Sequence, residues 1–140
     1  MLQLNPYLNF DGQTEKAFQF YQSVFGGELV IQKMREAPGV ENFTEEEKNL
    51  IMHASILLSN GQVLMGSDII KSYGHSFTQG TNHYISLHAE SRAEADHLFA
   101  ALSEGGEVEM PLADMFWGDY FGSFKDQYGV CWMINYALKF

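Results

Sequence analysis

Basic residues are scarce. Lys and Arg total 8 against 18 Asp and Glu, for a formal net charge of −10 over 140 residues. A binder of phosphates needs a basic face, so neither nucleic acid nor an anionic membrane is an expected partner. Acidity of this size serves solubility and is compatible with a cationic ligand. Cysteine is scarcer still, Cys131 being the single one. No internal disulfide can form, which fits a reducing, cytoplasmic setting. No apolar run reaches membrane-spanning length, and MLQLNPYLNF at the start lacks the charged and apolar regions of a signal peptide.

What is present is apolar and aromatic. Hydrophobic residues make up 46% and aromatics 14%, enough for a sizeable core in one domain or two small fused modules. The last third, 114-DMFWGDYFGSFKDQYGVCWMINY-136, concentrates aromatics among glycines and aspartates. It reads as two short strands around a turn at Asp126-Gln127-Tyr128-Gly129.

Taken in order, residues 2–10 alternate, with Leu2, Leu4, Pro6, Leu8 and Phe10 on one side and Gln3, Asn5, Tyr7 and Asn9 on the other. That is a half-buried strand. Residues 14–25 carry Ala17, Phe20, Tyr21, Val24 and Phe25 at helical spacing, and Gly26-Gly27 ends the helix. A second strand spans 28–35. Residues 36–50 read as a polar loop with a helical turn capped by Thr44. Residues 51–58 and 62–67 are strands joined by the hairpin turn Asn60-Gly61. Residues 68–81 read as a loop. The pattern then restarts with a strand over 82–90 and a helix over 91–103, where Ser91 and Glu94 make a capping box.

The restart is an internal repeat. An offset of 79 superposes Leu8 on Leu87, Glu15 on Glu94 and Gly26-Gly27-Glu28 on Gly105-Gly106-Glu107. An offset of 68 superposes Gly61 on Gly129 and Met65 on Met133. The order strand, helix, three strands occurs twice, predicting an α+β fold of two βαβββ modules: about 1–68, a linker of about 69–81, and about 82–140. One helix covers one face of each sheet. The other faces curve around a shared cleft.

Two such modules, together with 5-NPYLNFDGQTEKAFQFYQSVFGGE-28, 51-IMHASI-56, 63-VLMGSD-68 and 114-DMFWGDYFGSFKDQYGVCWMI-134, resemble the vicinal oxygen chelate superfamily of glyoxalase I, bleomycin-resistance proteins and extradiol dioxygenases. The resemblance is narrowest to its PhnB-like branch, labelled after 3-demethylubiquinone-9 3-methyltransferase. Nothing in the sequence resembles a methyl-donor site. Where that branch reads FWGDR, Tyr120 stands in place of the arginine, removing a fixed cation.

The resemblance also implies metal positions, one on the first and one on the last strand of each module. They fall on Asn5, Met65, Tyr84 and Met133. None is a histidine or carboxylate, so no cofactor is expected and a divalent metal is disfavoured. A one-residue slip would instead bring His83 inward. The implied ligand-binding faces carry Asn5, Tyr7, Asn9, His53, Ser55, Met65, Ser67, Tyr84, Ser86, His88, Cys131, Met133 and Asn135, with Phe116 and Trp117 at the mouth. His53 and His88 are the candidates for a base or hydrogen-bond donor; the alternative for each is a satisfied interior imidazole. Cys131 reads as a small buried filler. The expectation is a homodimer that binds a small organic molecule, its enzymatic status open. A metal-dependent isomerase, lyase or dioxygenase is one alternative, and a drug-sequestering protein is another.

Overall fold

In the computed structural model, which describes residues 2–138, strand β1 (Tyr7–Phe10) leads into helix α1 (Thr14–Phe25). Strand β2 (Glu28–Lys33), a short helix α2 (Glu45–Lys48), and strands β3 (Ile51–Leu57) and β4 (Val63–Asp68) follow. The second round is β5 (Ile85–His88), α3 (Arg92–Ser103), β6 (Glu107–Asp114), β7 (Asp119–Lys125) and β8 (Cys131–Ala137). The chain divides into two compact units, Met1–Thr78 and Gln79–Phe140.

Each unit holds one four-stranded mixed sheet. The strand orders are β1-β4-β3-β2 and β5-β8-β7-β6, so the same topology is drawn twice. The sequence offsets reappear as hydrogen-bonding register. Tyr7 pairs with Met65 in the first parallel ladder and Ser86 with Met133 in the second; these are the same two positions moved by 79 and 68. In the antiparallel ladders, Ser55 opposite Met65 corresponds to Ser123 opposite Met133.

Helix α1 lies on the first sheet, burying Ala17, Phe18 and Tyr21 over Leu8, Phe10, Ala54, Ile56 and Leu64. The buried stripe centres on Phe18, with Phe20, Val24 and Phe25 only half-buried. Gly66 explains this shift. A Cβ there would stand 2.7 Å from the Phe18 ring, so its absence lets Phe18 press onto the sheet. Helix α3 covers the second sheet, where Ala95, Leu102, Phe124, Trp132 and Ile134 are buried. Gly122 plays the same part, since a Cβ there would stand 2.7 Å from the Phe99 ring.

The two helices start differently. Ser91 caps α3 from next door, accepting from the Glu94 amide at 3.0 Å, while the Glu94 carboxylate reaches the Glu90 amide at 2.9 Å rather than that of Ser91. Gln13 makes no side-chain cap on α1. Asp68 serves instead, from the end of β4. Its buried carboxylate accepts from the Thr14 amide at 3.1 Å, the Thr14 hydroxyl at 2.7 Å and the Ile51 amide at 2.9 Å. One carboxylate thus ties β4 to the starts of α1 and β3.

Three expectations need correcting. The first strand begins at Tyr7, not residue 2, and Leu2 and Leu4 are 92% and 95% exposed. Pro6 has no N–H to donate, and only its carbonyl joins the sheet, accepting from the Met65 amide at 3.2 Å. The stretch 36–50 is no plain polar loop. Val40 is buried with Met34 and Ile70, and Ala37, Phe43, Leu50 and Met52 pack against them in a satellite core. That core also orders the start of 68–81, where Ile69 and Ile70 are buried and the Ile70 amide donates to His75 Nδ1 at 3.0 Å. The Thr44 cap does form, its hydroxyl accepting from the Glu47 amide at 3.1 Å.

Candidate functional site

Strand alternation leaves each sheet a face without a helix, and the register fixes what crosses it. In the first unit a row runs Tyr7, Met65, Ser55, Val30 across β1, β4, β3 and β2. In the second it runs Ser86, Met133, Ser123, Met110 across β5, β8, β7 and β6. Each row has the same centre, a methionine beside a serine.

Around the first row, Asn9 sits opposite Ser67 and His53 opposite Gln32. The Tyr7 and His53 rings lie 5.9 Å apart in a tilted contact. His53, Ser55 and Met65 are half-buried, and Tyr7 is 45% exposed. This face offers hydroxyls, two amides, an imidazole and a thioether, and its one carboxylate, Glu28, stands at the start of β2 opposite Leu57. Asn5 precedes β1 and is exposed, outside the strand expected to present it.

The second face is different. His88 lies opposite Asn135, and the Ser86 hydroxyl stands 3.4 Å from His88 Nε2. Tyr84, just before β5, donates its phenol to Glu109 on β6, at 2.8 and 3.0 Å from the two carboxylate oxygens. That hydrogen bond, with burial and the Glu109 charge, raises the Tyr84 pKa above the ordinary tyrosine range. Cys131 is 2% exposed. Burial is the main reason its thiol pKa is pushed up; Glu109 and Asp126 add to this and Lys125 opposes it. A buried thiol with a raised pKa is a packing group, not a poised nucleophile.

Neither Glu109 nor Ser123 is among the residues expected from sequence. Ser123 was reachable, since the 68-residue offset carries Ser55 onto it. Glu109 was not. The offset of 79 places it where Val30 pairs with Ser55, but the ladder pairs Met110 with Ser123 and leaves Glu109 as the extra residue of a bulge.

Phe116 and Trp117 occupy the β6–β7 turn. Phe116 is 98% exposed; Trp117 is half exposed and leans on Phe121, with ring centres 5.9 Å apart. Tyr120, at the branch's arginine position, lies on the helix side. Its phenol donates to Asp96, and Arg92, itself 3.0 Å from Asp114, sits 4.2 Å over its ring. The substitution therefore alters the helix side rather than the open face. Asp126 stiffens the last turn, accepting from the Tyr128 and Val130 amides and from the Trp132 indole at 2.8, 3.0 and 2.8 Å.

The implied metal positions can be judged on their chemistry. Met65 and Met133 lie on the helix-free faces, Tyr84 is engaged by Glu109, and Asn5 stands before its strand. Two thioethers, a phenol already bonded to Glu109 and a single amide include no imidazole or carboxylate, and one amide oxygen is too little to hold a hard or borderline divalent ion. His83 is exposed, its Nδ1 3.4 Å from Asn82 Oδ1, and it is Tyr84 that reaches Glu109. Among the described residues no three His, Cys, Asp or Glu side chains come together as a metal site. The residues present do not fit the superfamily's usual ion. No helix among the described residues is long and apolar enough to cross a membrane.

Residues 3–134 match the model of the Glyoxalase/Bleomycin resistance protein/Dioxygenase superfamily. Protein YjdN of Escherichia coli (strain K12) is 30% identical over 141 residues, covering 94% of this chain and 93% of that protein. Protein PA1353 of Pseudomonas aeruginosa has a similar structure, with a TM-score of 0.87 and 37% identity over 99% of this chain and 100% of that one. A PhnB protein of Bacillus cereus is similar at a TM-score of 0.75 and 28% identity, covering 97% and 100%.

Proposed function

The chain belongs to the glyoxalase/bleomycin resistance protein/dioxygenase superfamily, and from that premise we propose that it binds a small organic molecule on the helix-free faces of its sheets, without a divalent ion. The observation that carries this reading is the repeated methionine–serine centre, Met65 with Ser55 and Met133 with Ser123. A methionine adapts its shape to an apolar ligand, and a hydroxyl beside it fixes orientation. The same two methionines occupy the last-strand positions where a metal-dependent relative needs a carboxylate. The proposed protein is a cytoplasmic homodimer, and its hydrodynamic mass tests the assembly.

Two measurements test the binding reading. Thermal shift against a panel of metabolites and cationic drugs is expected to show a saturable rise in melting temperature, because a ligand of the native state stabilises it by mass action. Metal analysis after mild purification is expected to find no stoichiometric divalent ion. A stoichiometric ion whose removal by chelator lowers the melting temperature would overturn the metal-free part. A panel without any hit would overturn the ligand.

A further inference from the structure

The Tyr84–Glu109 pair spans an entire sheet. Tyr84 precedes β5 at one edge and Glu109 lies on β6 at the other, with β8 and β7 between them. Three strand spacings amount to about 14 Å in a flat sheet, so both side chains must reach over the helix-free face to meet. Cys131, on β8 between those two edges, is buried.

Three features set Glu109 apart. First, it is the extra residue of a β-bulge, with Val108 paired to Phe124 and Met110 paired to Ser123. Bulges re-aim side chains and recur beside functional sites. The equivalent stretch of the first unit pairs Leu29, Val30 and Ile31 with Ile56, Ser55 and Ala54 without interruption. Second, Glu109 is charged and exposed, and among the described residues no Lys, Arg or His forms an ion pair with it. Third, Tyr84 can give it a single proton, while a carboxylate accepts about four hydrogen bonds. Glu109 is thus anchored by one neutral donor and keeps both its charge and most of its acceptor capacity. The face around it adds the Tyr84 ring, the Met133 thioether and the Ser123 hydroxyl.

We propose that Glu109, held by Tyr84, is the recognition point for a protonated amine on the ligand, the apolar body of that ligand resting on the Tyr84 ring and Met133. An ammonium satisfies an anion whose existing partner is a neutral phenol, and it does so by a charge-assisted hydrogen bond. The Tyr84 ring adds a cation–π contact. The net charge of −10 favours arrival of a cation.

This inference rests on the small-molecule reading, and its test separates the two. Phenethylamine and its neutral isostere 2-phenylethanol are titrated into the full chain by calorimetry. The amine is expected to bind about tenfold tighter, the worth of one charge-assisted hydrogen bond, and to weaken with added salt while the alcohol does not. Glu109→Gln keeps an oxygen for the Tyr84 phenol and should bring the amine down to the affinity of the alcohol. Tyr84→Phe keeps the ring and the carboxylate, and should retain the preference for the amine. Equal binding of the two probes to the wild type, amine binding that ignores Glu109→Gln, or no amine binding at all overturns the proposal. A neutral metabolite that raises the melting temperature where phenethylamine does not would overturn the amine class alone. An empty metabolite panel would overturn both readings.

Discussion

Replacing Asp68 by Asn changes one atom and should destabilise the first unit severely. The side chain is 4% exposed, and its two oxygens accept from three donors. Oδ1 takes the Thr14 amide and hydroxyl; Oδ2 takes the Ile51 amide. Asparagine can keep the Thr14 side by placing its oxygen there. Its NH2 group then faces the Ile51 N–H, donor against donor. A lost charge-assisted hydrogen bond costs about 1.5–3 kcal/mol, and a buried unsatisfied N–H about 1–3. Neutralising a charge at the start of α1 removes roughly 0.3–1 more. The expected loss is about 3–7 kcal/mol, a large part of the 5–15 that holds a typical domain. Shape is unchanged, so no cavity contributes. Urea unfolding followed by far-ultraviolet circular dichroism measures the loss. Both tryptophans, Trp117 and Trp132, lie beyond Gln79, so their fluorescence reports the second unit and shows whether the damage stays local. Hydrogen exchange should speed up first at the Ile51 amide. A loss below about 1 kcal/mol, or an Ile51 amide as protected as before, would refute the view that this carboxylate caps α1 across the sequence.

Two further outcomes follow from packing and from charge. Gly122→Ala would set a Cβ 2.7 Å from the Phe99 ring and 2.9 Å from the Met110 carbonyl, and backbone cannot yield cheaply; the expected cost is about 1–3 kcal/mol, and an unchanged melting temperature would contradict the close helix–sheet contact. Tyr84 and Tyr120 should ionise later than the other tyrosines in a spectrophotometric titration, because hydrogen bonds to Glu109 and Asp96 respectively hold their protons. A pKa raised in the folded state contributes stability that is present below the ordinary tyrosine value, about 10, and is lost as pH rises through the folded value, so this support fades only in strong alkali. Glu109→Gln should bring Tyr84 back toward the others, and a Tyr84 that already titrates with them in the wild type would count against the pair.

How much of this was legible follows from where each signal resides. Helix α3 announces its start because Ser91 and Glu94 are neighbours in sequence. The cap of α1 is hidden because Asp68 lies 54 residues from Thr14. The satellite core escaped for a related reason. Met34, Val40 and Ile70 have no common period, and they form one cluster only because a loop folds back over the end of β4. Leu2 and Leu4 show the opposite failure. They continue the alternation of β1, yet alternation records what a strand would bury, and no ladder extends to them.

The repeat gives the deepest reading, and its exceptions carry the chemistry. Two offsets recover the pairing of β1 with β4 and of β5 with β8, residue for residue, and the methionine–serine centre of each face. They fail at the rim. Position 30 is a regularly paired Val and its counterpart is the bulged Glu109; position 5 is Asn and its counterpart is Tyr84. A duplicated sheet keeps its interior because helix packing constrains both copies alike. The helix-free rim has no such constraint, so it is free to differ. The Tyr84–Glu109 pair exists because two such differences, one before β5 and one in β6, meet across the same sheet. An offset search finds what two copies share. A binding site that belongs to one copy has to be sought where the offset breaks, and here the first of two register shifts in β6 frees Glu109.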